Sequence, residues 1–224
     1  SPAPLCVVFP KSIEIVQALV LFACKNGISL VPSGGRTGLS GGAVARNGEV
    51  VVSFEKMNQV LEFDAIDQVV TVQPGVVTEA LQQFADEQGL FYPVDFASAG
   101  SSQIGGNLAT NAGGIKVLQY GLTRDWVVGL KVVTGAGELL DLNRSLIKNA
   151  TGYDFRHIFI GSEGTLGFIV EASMKLARKP ENLTVVLLAV PDMTNVISVM
   201  TQFRANVELT AFEFFSDKAL EHVL

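Results

Sequence analysis

The placement of glycine is the feature that most constrains how this chain can fold. The 224 residues include 22 glycines, and all of them lie between Gly27 and Gly167. A collagen-like chain or a uniform glycine-rich linker is excluded, because such sequences repeat glycine throughout. Glycine serves where a backbone turns tightly or comes close to a ligand. The distribution therefore predicts a globular chain whose middle is built from glycine loops.

Composition narrows the class of protein further. Hydrophobic residues make up 48% of the chain and charged residues 17%, which is too apolar for a disordered protein. A net charge of -6 argues against nucleic acid as a partner, although backbone N–H groups can still bind phosphate. The apolar runs are too short to span a membrane and the N-terminus lacks a signal-peptide pattern, so we expect a cytoplasmic protein without a transmembrane segment. Cys6 and Cys24 lack metal-binding spacing, which favours reduced, buried thiols.

The local patterns predict a mixed α+β domain in which strands dominate. Ser12 is typical of a helix N-cap and Gly27 of a helix C-terminus, so the two bracket one predicted helix. Another helix is predicted at Thr78–Gln88, closed by Gly89. The predicted strands are Leu5–Phe9, Ile28–Val31 (broken by Pro32), Val50–Phe54, Val69–Val72, the hairpin Asp125–Val133 with Glu138–Leu142, and Phe168–Leu176 on the same sheet.

The composition changes near Lys179-Pro180, which predicts a domain boundary between residues 1–179 and 180–224. The second unit has no glycine and is predicted to contain a strand at Leu183–Val190, a helix at Thr194–Phe203, a strand at Leu209–Phe214 and a helix from Asp217. That last helix has no terminal cap, and the chain begins almost directly on a strand. We therefore expect a piece of a longer protein, with 180–224 truncated and the N-terminal part of 1–179 missing.

Three glycine-dense loops adjoin predicted strands: the first glycine loop (residues 34–42), the second (100–114) and the third (161–167). Successive small residues allow several backbone N–H groups to point into one concavity, which binds anions well. The Gly-Lys-Ser/Thr of a P-loop and the GxGxxG of a Rossmann fold are both missing, so neither class is favoured. Three such loops in one chain indicate a nucleotide site rather than simple turns.

These loops resemble those of the vanillyl-alcohol-oxidase-type (PCMH-type) FAD-binding fold, and the chain is most similar to its D-2-hydroxyglutarate, D-lactate and glycolate dehydrogenase group. The matching stretches are PSGGRTGLSGG (32–42), QPG (73–75), IGGNLATNAGG (104–114), YG (120–121), TGYD (151–154) and IGSEGTLGFI (160–169). Ala211–Phe214 resembles the opening of that group's substrate cap. The resemblance implies a two-subdomain FAD-binding domain at 1–179 and the beginning of an α+β cap domain at 180–224.

The resemblance implies that FAD is bound along the three loops and the Pro-Gly turn. The implied cofactor-binding residues are Pro32, Ser33, Gly34, Gly35, Arg36, Thr37, Gly38, Leu39, Gly41, Gly42, Pro74, Gly75, Val76, Gly100, Ser101, Gly105, Gly106, Asn107, Thr110, Asn111, Gly113, Gly114, Tyr120, Gly121, Glu163, Gly164, Gly167 and Ile169. The two histidines, His157 and His222, lie outside the loops, so we expect FAD to be bound non-covalently.

The implied reaction is oxidation of a D-2-hydroxy acid of the 2-hydroxyglutarate, lactate or glycolate type to the 2-oxo acid by hydride transfer to the flavin, which then passes the electrons to an unknown acceptor. The base and any metal are implied to come from the cap domain and the stretch after it. No catalytic residue and no metal ligand is therefore predicted within this chain, which we expect to be inactive by itself. A homodimer is one expected assembly.

Several alternatives stay open at this point. The protein could be a flavin-dependent oxidase of another alcohol or sugar that uses O2, or a non-catalytic FAD-binding module. A Gly-Ser-rich amidase-like hydrolase is disfavoured, because no lysine is placed to activate Ser101 or Ser102. Tyr153-Asp154 could face the flavin or cap the following helix, and His157 is expected to be packed. Lys148–Thr151 departs from the group's pattern, which often has an acidic residue and an asparagine after the lysine.

Overall fold

A parallel sheet and an antiparallel sheet carry most of the strands in a computed structural model that describes residues 1–143 and 146–223. The strands are β1 (Cys6–Val8), β2 (Leu30–Ser33), β3 (Val50–Ser53), β4 (Val60–Asp64), β5 (Val69–Val72), β6 (Leu90–Phe91), β7 (Val127–Thr134), β8 (Leu139–Leu142), β9 (Gly167–Lys175) and β10 (Ala177–Arg178). The α-helices are α1 (Ile13–Asn26), α2 (Thr78–Glu87), α3 (Ile104–Ala109), α4 (Val117–Tyr120), α5 (Arg156–Phe159), α6 (Met193–Asn206) and α7 (Asp217–Glu221), and a 3-10 helix spans Thr123–Trp126.

The smaller sheet is parallel and has the order β1-β3-β2, with α1 connecting β1 to β2. The predicted caps of α1 are confirmed: the Ser12 side chain accepts a hydrogen bond from Ile15 N, and Gly27 is left-handed with φ 65°. The strand predicted to break at Pro32 instead continues to Ser33. Because β2 is an edge strand, the missing N–H of Pro32 costs no ladder hydrogen bond.

The larger sheet is antiparallel, with the order β4-β5-β9-β7-β8. The hairpin of β7 and β8 and the pairing of β9 with β7 confirm the sequence-based prediction. Side chains from opposite faces of β9 enter two different cores, since successive residues of a strand point to opposite faces. Phe168 and Val170 join a core with Val16 and Val20 of α1. Ile169 joins the larger core that also receives α2 and α3.

Several elements differ from the sequence-based predictions. The strands β4 and β6 and the helix α3 inside the second glycine loop were not predicted. The predicted strands Leu183–Val190 and Leu209–Phe214 are wrong, since neither segment pairs with a strand among the described residues. A strand needs a neighbouring strand to satisfy its backbone groups, and its apolar pattern alone cannot supply one. The helices predicted in the same region are confirmed as α6 and α7; Leu224 lies outside the described residues.

Candidate functional site: the meeting point of the glycine loops

The first and second glycine loops are packed backbone against backbone. A Cβ atom added to Gly35 would lie 2.1 Å from the carbonyl oxygen of Ser101 and 2.8 Å from the Cα of Ser102. The neighbouring Gly34 faces Gly106, with 3.6 Å between its added Cβ and the Gly106 Cα. Only glycine allows this approach at Gly35, because any side chain would displace a backbone carbonyl. The two loops therefore share one surface.

The third glycine loop contacts both the second loop and the first. The backbone N–H of Gly161 donates to Leu108 O at 2.9 Å, and that of Glu163 donates to Ala109 O at 2.8 Å. An added Cβ at Gly164 would lie 2.4 Å from Cγ of Pro32, and one at Gly42 would lie 2.7 Å from Oε2 of Glu163. All three loops, far apart in sequence, are thus brought together.

The Pro74-Gly75 turn lies directly against the second loop. Gly105 N donates to Pro74 O at 2.8 Å and Ile104 N donates to Val76 O at 2.9 Å. Gly75 in turn approaches β3 and its following turn, because an added Cβ would lie 2.1 Å from Phe54 O. These contacts hold the turn and the second loop in one fixed relation.

A buried polar network that sequence reasoning missed lies beneath these segments. The hydroxyls of Thr78 and Ser102 are 2.8 Å apart, and the Asn107 side-chain amide donates to Thr78 Oγ1 at 2.7 Å. The exposed fractions of Thr78, Ser102 and Asn107 are 0%, 1% and 5%. The Asn107 amide nitrogen, predicted to serve the cofactor, is therefore directed into the protein. A small polar residue at the beginning of a helix was the only sequence signal for Thr78.

One non-glycine residue with positive φ lies in each loop: Arg36 (φ 58°), Asn111 (φ 48°) and Glu163 (φ 52°). Such backbone geometry is unfavourable for residues with a side chain and concentrates at ligand-binding sites. Among the described residues, nothing lies within 4 Å of a Cβ added to Gly38 or Gly106, so there is free space beside both positions. The N–H groups of Gly105, Gly161 and Glu163 are used within the protein, whereas a glycine-rich segment such as the first loop can present several N–H groups to an anion such as the FAD diphosphate.

Other residues in the predicted cofactor set differ in how strongly they are packed against the rest of the protein. Leu39 is fully exposed, whereas the Ile169 side chain is in the large core. The ring of Tyr120 packs between Phe91 and Trp126, and burial, followed by the charge of Glu208, raises its pKa. Close packing at an added Cβ is also found at Gly113 against Leu122, Gly114 against Asp95 O, Gly121 against Asp125 and Gly167 against Val133 O.

The remaining members of the predicted set lie in or beside the loops as the sequence places them. Ser33 is buried at the end of β2, and Thr37 follows Arg36 in the first loop. Gly41 lies near the Arg46 guanidinium, and Gly100 near the Glu79 carboxylate. Thr110 Oγ1 donates to Gly106 O at 3.0 Å, so this hydroxyl closes the C-terminal end of α3.

The Asp154 carboxylate contacts the first residue of α5, although the N-cap position of that helix is Phe155 and has no side-chain cap hydrogen bond. Asp154 Oδ1 accepts from Arg156 N at 3.2 Å, and both carboxylate oxygens accept from the Arg156 guanidinium. These Arg156 hydrogen bonds lower the pKa of Asp154 below its usual 3.8. Tyr153 is 87% exposed. A polar cavity of about 130 Å³ lies beside this segment, lined in part by Asp141, Asn149 and Thr151.

Two expectations about reactive side chains are wrong. The His157 side chain is 41% exposed, with Nε2 3.4 Å from an Asp154 oxygen, rather than packed. Cys6 and Cys24 are free but exposed: Cys6 lies on the edge strand β1, and the Cys24 thiol near the end of α1 donates to Gly135 O at 3.0 Å. Within residues 1–143 and 146–223, no group of three or more His, Cys, Asp or Glu side chains could hold a metal ion. No helix in the same ranges is long and apolar enough to cross a membrane.

The converging glycine loops are typical of a nucleotide-binding domain, and the family match specifies a flavoprotein domain. The family model described as the FAD binding domain matches residues 4–143, so the chain belongs to this family. It is 65% identical over 224 residues to the D-2-hydroxyglutarate dehydrogenase of Stutzerimonas stutzeri (strain A1501), covering 100% of this chain and 48% of that protein. It is 40% identical over 200 residues to the D-lactate dehydrogenase of Anaerostipes hadrus, covering 89% of this chain and 42% of that protein.

A solved structure of alkyldihydroxyacetonephosphate synthase has the same fold. Its TM-score is 0.76 at 30% sequence identity, over 89% of this chain and 36% of that one. The match supports the PCMH-type α+β fold that the sequence resemblance implied. The chain spans about half the length of the curated relatives it matches.

Proposed function

We propose that the protein is an FAD-dependent dehydrogenase that oxidises a D-2-hydroxy acid, with D-2-hydroxyglutarate as the first substrate to test. The observation that carries the proposal is the convergence of the three glycine loops, with Gly35 packed against Ser101 and Gly164 against Pro32. The relatives named for D-2-hydroxyglutarate and D-lactate support the substrate class.

In this proposal the first glycine loop holds the FAD diphosphate through backbone N–H groups, helped by the exposed side chain of Arg36. The Pro74-Gly75 turn and the second and third loops line the rest of the cofactor. FAD is held non-covalently, since neither His157 nor His222 belongs to a loop. The bound flavin supplies the hydride acceptor, and these residues bind it and fix its orientation.

Residues 180–224 are proposed to begin the substrate-cap domain. Two observations support this: no described residue from Pro180 onward is buried, and the relatives are about twice as long as the chain. The general base, the cations for the substrate carboxylate and any metal would then lie in further parts of the full-length protein. The chain alone would have little or no turnover.

The cellular location and assembly stay predictions. A reducing cytoplasm suits the free, exposed thiols of Cys6 and Cys24. A homodimer would be detected by measuring the solution mass of the full-length protein.

The test is to purify the full-length protein, record its absorbance spectrum and follow dye reduction with D-2-hydroxyglutarate, D-lactate and glycolate. We expect a flavin spectrum, release of the flavin on acid precipitation, and turnover with at least one of these acids. A colourless protein that takes up no added FAD would refute the proposal. Peroxide release in air without preference for these acids would instead identify an oxidase of another alcohol.

A further inference from the structure

Arg124 differs from the other arginines near the loops because its backbone is fixed and its side chain is only partly satisfied. It lies in the 3-10 helix Thr123–Trp126, and its N–H donates to the Asn111 side chain at 3.1 Å. The preceding Thr123 donates to Ala112 O from both its N–H, at 3.0 Å, and its hydroxyl, at 2.7 Å. Arg124 is therefore held on the last part of the second glycine loop.

The Arg124 guanidinium extends from the second loop towards the third. Its Nη2 lies 3.6 Å from a Cβ added to Gly161 and donates to Ile160 O at 3.5 Å, the limit for a hydrogen bond. Its Nε is buried and has no hydrogen-bond partner in the part of the chain that the structure describes. Within the described ranges, no carboxylate lies within 4.0 Å of this partly buried cation.

Arg156 shows what a satisfied arginine looks like in the same domain. It forms two hydrogen bonds to the Asp154 carboxylate, with Nε at 2.9 Å and Nη2 at 2.6 Å, and its Nη1 donates to Val127 O at 2.6 Å. Among the described residues Arg124 has no such partners, although burial makes an unpaired cation costly. The difference indicates a partner outside the described chain, which would reach Arg124 at its terminal Nη atoms because Nε is buried.

We propose that Arg124 binds an anionic oxygen of a ligand held between the second and third glycine loops. The ligand chemistry is a phosphate or carboxylate, which an arginine fork binds with charge-assisted hydrogen bonds. Within the proposed function, that oxygen belongs either to the FAD diphosphate or to the hydroxy-acid substrate. Arg36 lies in the first loop with an exposed side chain, whereas Arg124 Nη2 is among the atoms nearest to the Gly161 position.

The experiment compares the full-length protein with Arg124→Met and Arg124→Lys, and uses Arg204→Met on exposed α6 as the matched control. Affinities are measured for FAD, for riboflavin, which lacks the diphosphate, for inorganic pyrophosphate on the FAD-free protein, and for D-2-hydroxyglutarate on the FAD-loaded protein. Thermal unfolding of the FAD-free variants is recorded in parallel. Arg124→Lys tests whether charge alone is sufficient.

We expect Arg124→Met to lower the affinity for one of the anions by about ten- to hundredfold, because hydrogen bonds to charged groups are strong. The affinity of Arg124→Lys should be intermediate, and that of Arg204→Met should equal the wild-type value. If the affinities for FAD and pyrophosphate fall while that for riboflavin is unchanged, the anion bound by Arg124 is the FAD diphosphate. If only the affinity for D-2-hydroxyglutarate falls, the anion is the substrate carboxylate. Unchanged affinities for every anion, an equal loss for riboflavin and FAD, or a loss explained by a lower unfolding temperature would overturn the proposal. If the wild type takes no FAD, the proposed function fails, and the pyrophosphate titration still tests Arg124.

Discussion

Residues 1–179 and 180–223 have similar apolar character but very different burial. Every buried side chain among the described residues lies between Pro10 and Leu176. In the later segment Val185 is 98% exposed and Leu187 81% exposed. Both parts contain capped helices, since Asp192 caps α6 and Ser216 caps α7 much as Ser12 caps α1. The contrast shows which structure forms from local rules and which needs distant partners.

Local hydrogen bonds explain why the later helices form while the later strands do not. A helix satisfies most of its backbone groups within its own sequence, and a cap satisfies part of the remainder. A strand leaves a row of N–H and C=O groups that only another strand can satisfy. In residues 1–179, β9 finds β5 on one side and β7 on the other. The segment 183–190 has no such neighbour among the described residues.

The largest expected difference between residues 1–179 and 180–223 is the effect on stability of truncating one leucine in each part. Leu81 on α2 is 0% exposed and lies in the large core, so Leu81→Ala should lower the free energy of unfolding by about 2–5 kcal/mol. The matched change Leu187→Ala should alter it by no more than about 0.5 kcal/mol. Urea unfolding followed by circular dichroism measures both. A comparable loss in Leu187→Ala would show that the later segment has a core of its own.

A second pair of variants tests whether the glycine loops are as tightly built as the core. In Gly35→Ala the new Cβ would lie 2.1 Å from Ser101 O, a backbone atom that cannot move aside alone. Overpacking of this kind costs about 1–3 kcal/mol, occasionally more. Gly38→Ala in the same loop meets nothing within 4 Å, so its stability should be unchanged or slightly higher. Equal unfolding midpoints for the two variants would show that the first and second loops are not in contact.

The fold could be predicted from sequence wherever the determining residues are neighbours in the chain. Ser12 and Gly27 define α1 because capping is local, and the β7–β8 hairpin follows from its short turn. The prediction that Pro32 ends the strand was wrong, because a proline costs a ladder hydrogen bond only where its nitrogen faces a neighbouring strand. Whether β2 is an edge strand is shown only by the strand order. The short β4 was missed, and its register shift between Val60 and Glu62 disturbs the simple alternation of the sequence.

The candidate site shows the same difference between features set by neighbouring residues and features set by distant ones. Glycine density located the three loops, since tight backbone geometry leaves a direct sequence signal. It did not indicate that Gly35 meets Ser101, or that Thr78 bonds Ser102 across 24 positions of the chain. Arg124 was also missed, because an isolated arginine is usually a solvated surface residue. Its unsatisfied hydrogen-bond donors distinguish it, and these are visible only in the folded structure.

The smallest expected effect is on stability at low pH. It compares Asp154 in residues 1–179 with Asp192 in residues 180–223. The pKa of Asp154 is lowered mainly by the Arg156 side chain, and that of Asp192 mainly by the Thr194 hydroxyl. A lowered folded-state pKa gives stabilisation that is present above the usual value of 3.8 and is lost as the pH falls through the folded-state pKa. Asp154→Asn should therefore flatten the acid-induced loss of global stability below about pH 4, modestly and less at high salt, because the Asp154 side chain is 43% exposed. Asp192→Ala, which removes the capping oxygen, should leave global unfolding unchanged and speed amide exchange only at the first turn of α6, where Thr194 and Asn195 donate to Asp192. Unfolding curves from pH 2 to 7 with hydrogen exchange distinguish the two, and a global effect of Asp192→Ala would mean that α6 unfolds together with residues 1–179.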